Sequence, residues 1–131
     1  MTIFFQLALV FEITVALLFW GLLWPAAAAA GATFNGLFLI NDGVQCIPLI
    51  IDFALNRIVF EWRHMIVHVF VGVVYGIWSV IWTLSTGRYI YPILDWKNEP
   101  GMCLIVALGG FVVFAGVFSL VTVVSKRCKS K

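Results

Sequence analysis

A chain of 131 residues that is 63% hydrophobic and 11% charged, with a formal net charge of only +2, has too few polar groups to cover a water-facing surface. Soluble domains carry about 25% charged residues, whereas the mean hydropathy here is +1.09. This excludes a soluble globular domain, leaves no basic field for nucleic acid, and identifies an all-α integral membrane protein whose first partners are membrane lipids.

Windows of about 20 apolar residues locate the elements in chain order. The first span runs over 3–24 and contains Glu12 and Thr14. "AAAAAGA" follows it and resembles a cleavage site for a signal peptide. However, no basic segment precedes the apolar run, the run is too long, and Glu12 interrupts it, so a span followed by an Ala26–Thr33 linker is the expectation. The second span, 36–56, has the right length but holds Asn41, Asp42, Gln45, Pro48 and Asp52, which are expensive in hydrocarbon. The third, 64–84, is rich in Val, Ile and Trp, and the fourth, 102–124, ends in the basic tail "SKRCKSK". Neither "VFVGVVYGIW" nor "LIVALGGFVVFAGVF" alternates as a barrel strand would. Closed helices are the other way to satisfy every backbone group in a bilayer.

Four spans place both termini on one side. Arg57, Arg63, Lys126, Arg127, Lys129 and Lys131 then share a face, against Arg88 and Lys97 on the other. The positive-inside bias makes that basic face cytosolic, or matrix-side in an organelle. The expected architecture is a single domain, 1–131, forming a four-transmembrane-helix bundle with a loop at 87–101 on the opposite interface. Three cysteines with no CxxC spacing suggest neither a zinc site nor a disulfide framework. Cys128, among lysines beside the membrane, is either a palmitoylation site or a plain thiol. Nothing in the chain spells a cofactor motif.

The polar residues inside the spans are patterned. At 100° per residue, Asn41, Gln45, Asp52 and Asn56 fall within about 60° of one another on the second span. On the third, His64, His68, Tyr75, Trp78, Ser79 and Trp82 fall within about 100°. Counting ~1.5 Å per residue from the basic face, Asp52 and His68 share one depth, Glu12, Gln45 and Tyr75 a second, and Asp42 and Ser79 a third. Such groups either order a bundle as polar contacts or form a proton path or catalytic pocket. Gly72 and Gly76 make a GxxxG, and Gly109 and Gly116 lie a heptad apart, positions that allow close helix packing.

The loop "GRYIYPILDWKNEPG" suits an interface. Tyr89, Tyr91 and Trp96 can sit at headgroup level with their polar tips wet. Pro92 and Pro100 stop helices, and Asp95 is placed to cap the turn or to pair with Arg88. "YIYPILDW" followed by "PG" resembles the signature loop of the rolling stone-like membrane proteins, relatives of the androgen-induced membrane hydrolases. The likeness extends upstream through "DGVQCIPLIIDFALNRIVFEWRH" and "VYGIWSVIW", covering about 41–101.

That resemblance implies a multi-pass membrane protein and raises an activity. In the related hydrolases a threonine and an intramembrane histidine are thought to cleave lipid esters. The histidine would begin the motif that here starts at Asp42, and the threonine sits on an early helix for which Thr14 is the nearest candidate. Two functions follow. One is a non-enzymatic, rolling stone-like accessory subunit of a larger membrane assembly, contacting other membrane proteins. The other is a lipid-ester hydrolase with a rearranged site drawn from Thr14, Asp42, His68 and Ser79.

Overall fold

A computed structural model describes residues 2–29, 44–88 and 94–129, and all regular structure among them is helical. Helix α1 covers Thr2–Leu18 and passes through a π-helical turn, Phe19–Leu23, into a short α2, Trp24–Ala29. Helix α3 covers Cys46–Leu55; a 3₁₀ turn, Trp62–His64, leads into α4, Met65–Thr86; and α5 covers Pro100–Lys129. Three helical runs are long and apolar enough to cross a membrane: Thr2–Leu23, Trp62–Thr86 and Pro100–Lys129. They agree with the expected first, third and fourth spans to within a few residues, apart from the end of the last. Of the expected second span, the described part is the ten-residue α3, about half of the ~20 residues a span requires. Asn41 and Asp42 lie outside the described residues.

Local chemistry explains where the helices bend, start and stop. Pro25 has no N–H, and its ring crowds the carbonyl four residues earlier, that of Gly21. The turn just before it is widened, with the Trp24 N–H reaching back to the Phe19 carbonyl, and this lets the helix continue. The alanines that follow are strong helix formers, so the expected linker at Ala26 is helical as far as Ala29. Helix α4 ends at Gly87, whose φ of 68° is left-handed and whose N–H bonds the Thr83 carbonyl at 3.0 Å, a conformation glycine adopts without a Cβ penalty. Helix α5, with 30 residues, is roughly 45 Å long against a hydrocarbon core of about 30 Å. The basic tail is thus helical through Lys129, with Lys126, Arg127 and Lys129 in its last turn, where cations complement the helix dipole.

The chain groups into two compact units, 1–62 with 114–131, and 63–113. In the first, α1 packs on α3; Leu9, Val10 and Ala16 of α1 and Phe19 of the π-helical turn are buried, as are Phe114, Val117, Phe118 and Val121 of α5. Phe60, fully enclosed, meets Phe53 and Phe118 with ring centroids 5.6 and 6.1 Å away. Phe11 and Phe114 meet at 5.2 Å in a tilted pair, and Trp62 meets Phe118 at 6.2 Å.

Residues 56–61 form no helix, so their backbone groups need other partners. The Asn56 N–H caps α3 on the Asp52 carbonyl at 2.8 Å, and the Asn56 Oδ1 accepts the Ile58 N–H at 3.0 Å. Gln6 Nε2 donates to the Val59 carbonyl at 3.1 Å. The Phe60 N–H donates to Ser125 Oγ at 2.9 Å, and that hydroxyl donates to the Thr122 carbonyl at 2.9 Å. Lys129 Nζ donates to the Phe53 carbonyl and, at 3.1 Å, to Asn56 Oδ1, while lying 3.5 Å over the Phe53 ring centroid. The start of α1, the segment after α3 and the end of α5 therefore meet at one end of this unit.

In the second unit the covered residues of α4 are polar, namely His68, Ser79 and Thr83. Its exposed residues are large and apolar, among them Ile66, Phe70, Val73, Trp78, Ile81 and Leu84. That is the reverse of a water-soluble amphipathic helix and fits a lipid solvent.

Ser125→Ala tests the buried bridge of the first unit. It leaves the Phe60 N–H without its acceptor, at a cost of about 1–3 kcal/mol. The expected outcome is a lower thermal midpoint in mild detergent and faster amide exchange at Phe60. Unchanged exchange there would show that the hydroxyl does not hold the segment.

Candidate functional site

The described part of the interfacial loop is a turn built around Asp95. Its Oδ1 accepts the N–H groups of Lys97 and Asn98 at 3.2 and 3.1 Å, and its Oδ2 accepts Asn98 Nδ2 at 2.7 Å. Aspartate commonly closes a turn on the backbone two and three residues ahead in this way. The Asp95 carbonyl also accepts the Glu99 N–H at 2.9 Å, and the Glu99 carbonyl accepts the Cys103 N–H at 3.1 Å. Pro100 opens α5, where a missing N–H breaks no helical bond. The Asn98 side-chain bond, then the Asn98 backbone bond, with further help from Lys97, hold the Asp95 carboxyl below its ordinary pKa of 3.8. Of the two roles expected for Asp95, the structure shows the capping one.

Trp96 ties this turn to α4. Its Nε1 donates to Ser79 Oγ at 3.0 Å, and Ser79 is buried. The ring was expected as an interfacial anchor; its indole N–H is in addition a structural tether. Arg88 is exposed, and its N–H bonds Thr86 Oγ1 at 3.2 Å. Tyr89, Tyr91 and Pro92 lie outside the described residues.

The candidate catalytic residues are placed as follows. Thr14 is buried, and its hydroxyl donates to the Val10 carbonyl at 2.7 Å, one helical turn back. His68 is fully buried with Nδ1 at 2.8 Å from the His64 carbonyl, which holds the ring against its own helix. Ser79 lies on the same covered face of α4 but eleven residues further on, roughly 16 Å along the axis. A nucleophile and its base must approach to hydrogen-bond reach, so Ser79 and His68 do not form such a pair. Asp42 is outside the described residues. Among the described residues no group of three His, Cys, Asp or Glu side chains is arranged to hold a metal ion.

The other expected positions are spread over several environments. Glu12 is half-buried, whereas Gln45 and Asp52 are exposed and α3 has no buried residue. Tyr75, Trp78 and Trp82 are 47%, 54% and 40% exposed. The aromatic half of the expected α4 stripe therefore faces outward, with Trp78 and Trp82 paired at 6.1 Å; of that stripe His68 and Ser79 are buried, and Thr83, outside it, is buried beside them. Around Gly72, Gly76, Gly109 and Gly116 a Cβ would meet nothing within 4 Å. The close approach these glycines permit is not used within the described chain.

Sequence reasoning did not single out Gln6, Ser125 or Thr83, and it read Lys129 only as one charge of the basic face. A glutamine and a serine inside otherwise apolar runs were visible, and polar side chains there need partners. Their partners are backbone groups of 56–61, whose break from helix is not legible in hydropathy.

Among curated proteins the chain is similar to Protein rolling stone of Drosophila melanogaster, with 28% identity over 94 residues, covering 67% of this chain and 31% of that protein. The chain thus corresponds to about a third of the relative's length. This similarity supports a rolling stone-like relationship. No family model and no solved structure matches.

The Asp95 turn has a defined pH response. Because the folded carboxyl titrates below its ordinary value of 3.8, the stabilisation is fully present above that value and is lost as pH falls through the lower folded one. Protection factors at the Lys97 and Asn98 amides should be constant near neutrality and collapse only in strong acid. Asp95→Ala should lower them near neutrality and converge with the parent in strong acid. Protection in the variant equal to that of the parent would show that the carboxylate does not close the turn.

Proposed function

We propose that this chain is a non-enzymatic, rolling stone-like membrane protein that acts as an interaction subunit of a larger membrane assembly. The observation that carries this reading is the outward surface of α4: apolar and aromatic side chains on one side, with the polar His68, Ser79 and Thr83 and the small Gly72 and Gly76 on the other. Lipid and other transmembrane helices suit such a surface, and small residues allow close helix approach. The candidate nucleophiles favour the same reading, since the Thr14 hydroxyl serves its own helix and Ser79 accepts from Trp96. The alternative is an intramembrane lipid-ester hydrolase, which rests on the family resemblance alone.

The proposed topology has four spans, with both termini and the Arg57–Arg63 segment on the positive, cytosolic or matrix-side face. The joint meeting of Gln6, Val59, Ser125 and Lys129 supports it, as does the excess of Lys and Arg on that side.

Two measurements test these statements. Purified protein should neither turn over fatty-acid esters nor react with a serine/threonine hydrolase probe. Turnover abolished by Thr14→Ala or Ser79→Ala would establish the hydrolase instead, and activity created by Asp42→His would restore the family chemistry. For topology, single cysteines at Gly31 and Ser130, with Cys46→Ser, Cys103→Ser and Cys128→Ser, should be labelled from opposite sides of the membrane. Labelling from the same side would remove the second span.

A further inference from the structure

We infer that the basic end of the first unit is a docking surface for anionic lipid headgroups, assembled by the Lys129 clasp. Three observations carry it. The first is depth: the apolar run of α5 ends at Val124, so Lys126, Arg127 and Lys129 in its last turn lie just beyond the hydrocarbon, at headgroup level. The second is preorganisation. Lys129 reaches from α5 to the Phe53 carbonyl and Asn56 Oδ1 at the end of α3, and Arg57 is the next residue. The end of α5 and the end of α3, joined by residues 73 positions apart in sequence, are thus tied together by contacts on which neither helix depends. The third is sign and access. Arg57, Lys126 and Arg127 are exposed, while Lys129 is turned inward as the tie. Among the described residues the carboxylate that acts on this cluster is Asp52, which attracts Lys129 itself. Three exposed cations therefore face outward while the fourth is matched within the protein.

A positive-inside bias acts during insertion and needs only charge on the correct side. A patch tied together across two elements goes further, because it presents several cations to one region of the leaflet at once. Each basic residue near an anionic surface contributes on the order of 1 kcal/mol of attraction. Three acting together should favour an anionic over a zwitterionic headgroup by about a hundredfold.

The test rests on the chain being membrane-spanning, and the two ideas fail separately: protein that will not reconstitute into bilayers overturns that reading, whereas reconstituted protein indifferent to lipid charge overturns only this one. Short-chain phosphatidylglycerol is titrated into the full chain in neutral detergent micelles, with the thermal midpoint as readout. Short-chain phosphatidylcholine and glycerol phosphate are the parallel arms. The expected result is stabilisation by phosphatidylglycerol alone, half-saturated at a concentration that rises about a hundredfold in Arg57→Gln/Lys126→Gln/Arg127→Gln. It should also weaken in 0.5 M salt and be unchanged in Arg88→Gln/Lys97→Gln. Lys129→Met keeps the three exposed cations but removes the tie, and should give an intermediate shift. Equal responses to the two lipids, a response to glycerol phosphate alone, or a triple variant that titrates like the parent would each overturn the proposal. A Lys129→Met protein identical to the parent would overturn the role given to the clasp.

Discussion

The constraint on which the structure turns is that a break in a helix near hydrocarbon must be satisfied by the protein. Residues 56–61 are such a break, and at Phe60 it is buried inside the protein, where the backbone needs a protein partner. Four side chains from three elements meet the need: Gln6 from α1, Asn56 from the end of α3, and Ser125 and Lys129 from α5. Phe60 then fills the space they frame, with Phe53 and Phe118 against its ring. The arrangement is not fully saturated. Among the described residues, Asn56 Nδ2 and Thr122 Oγ1 are buried with no hydrogen-bond partner, and each such group carries a desolvation cost. The segment is held, therefore, by a few specific bonds and one aromatic cluster, and small changes at Ser125 or Lys129 reach all of it.

The second unit solves a different problem with the same rule. A helix that keeps His68, Ser79 and Thr83 covered and turns Ile, Val, Phe and Trp outward has no use for water on its outer face. Hydrophobic residues then say little about what is inside, and the polar residues mark the covered side. Since lipid tails are as apolar as the side chains, helix contacts depend on packing and polar bonds. The Trp96–Ser79 bond is one such contact, fixing the start of the α5 approach to the end of α4.

This difference in solvent also explains what could be read from the chain. Hydropathy located three long helices to within a few residues, because about 20 apolar residues in a row have few alternatives. It did not reveal that the tail stays helical to Lys129, since its charges end the apolar signal while Lys and Arg remain good helix formers. The 100° projection grouped Tyr75, Trp78 and Trp82 with His68 and Ser79, yet the covered edge lies on the other flank and includes Thr83. A projection gives relative angles and not the direction of the neighbour. The glycines illustrate the same limit: Gly72 and Gly76 are suitably spaced, but spacing does not say whether the partner belongs to the same chain.

The loop that most resembles the rolling stone-like proteins is instructive on what a motif transmits. Where it is described, its distinctive residues have structural occupations. Asp95 closes the turn on Lys97 and Asn98, Trp96 donates to Ser79, and Pro100 begins α5. A turn with these demands needs an acceptor at one position, an indole N–H at the next and a residue without an N–H at the helix start, whatever chemistry lies elsewhere in the membrane. Likeness over such a loop therefore conveys a shared way of joining two helices. Catalysis would need a nucleophile and base brought together, and on α4 the buried hydroxyl and imidazole are held three helical turns apart. The described half of the loop is accounted for by architecture: it shapes the turn that leads into α5 and ties that turn to Ser79 of α4.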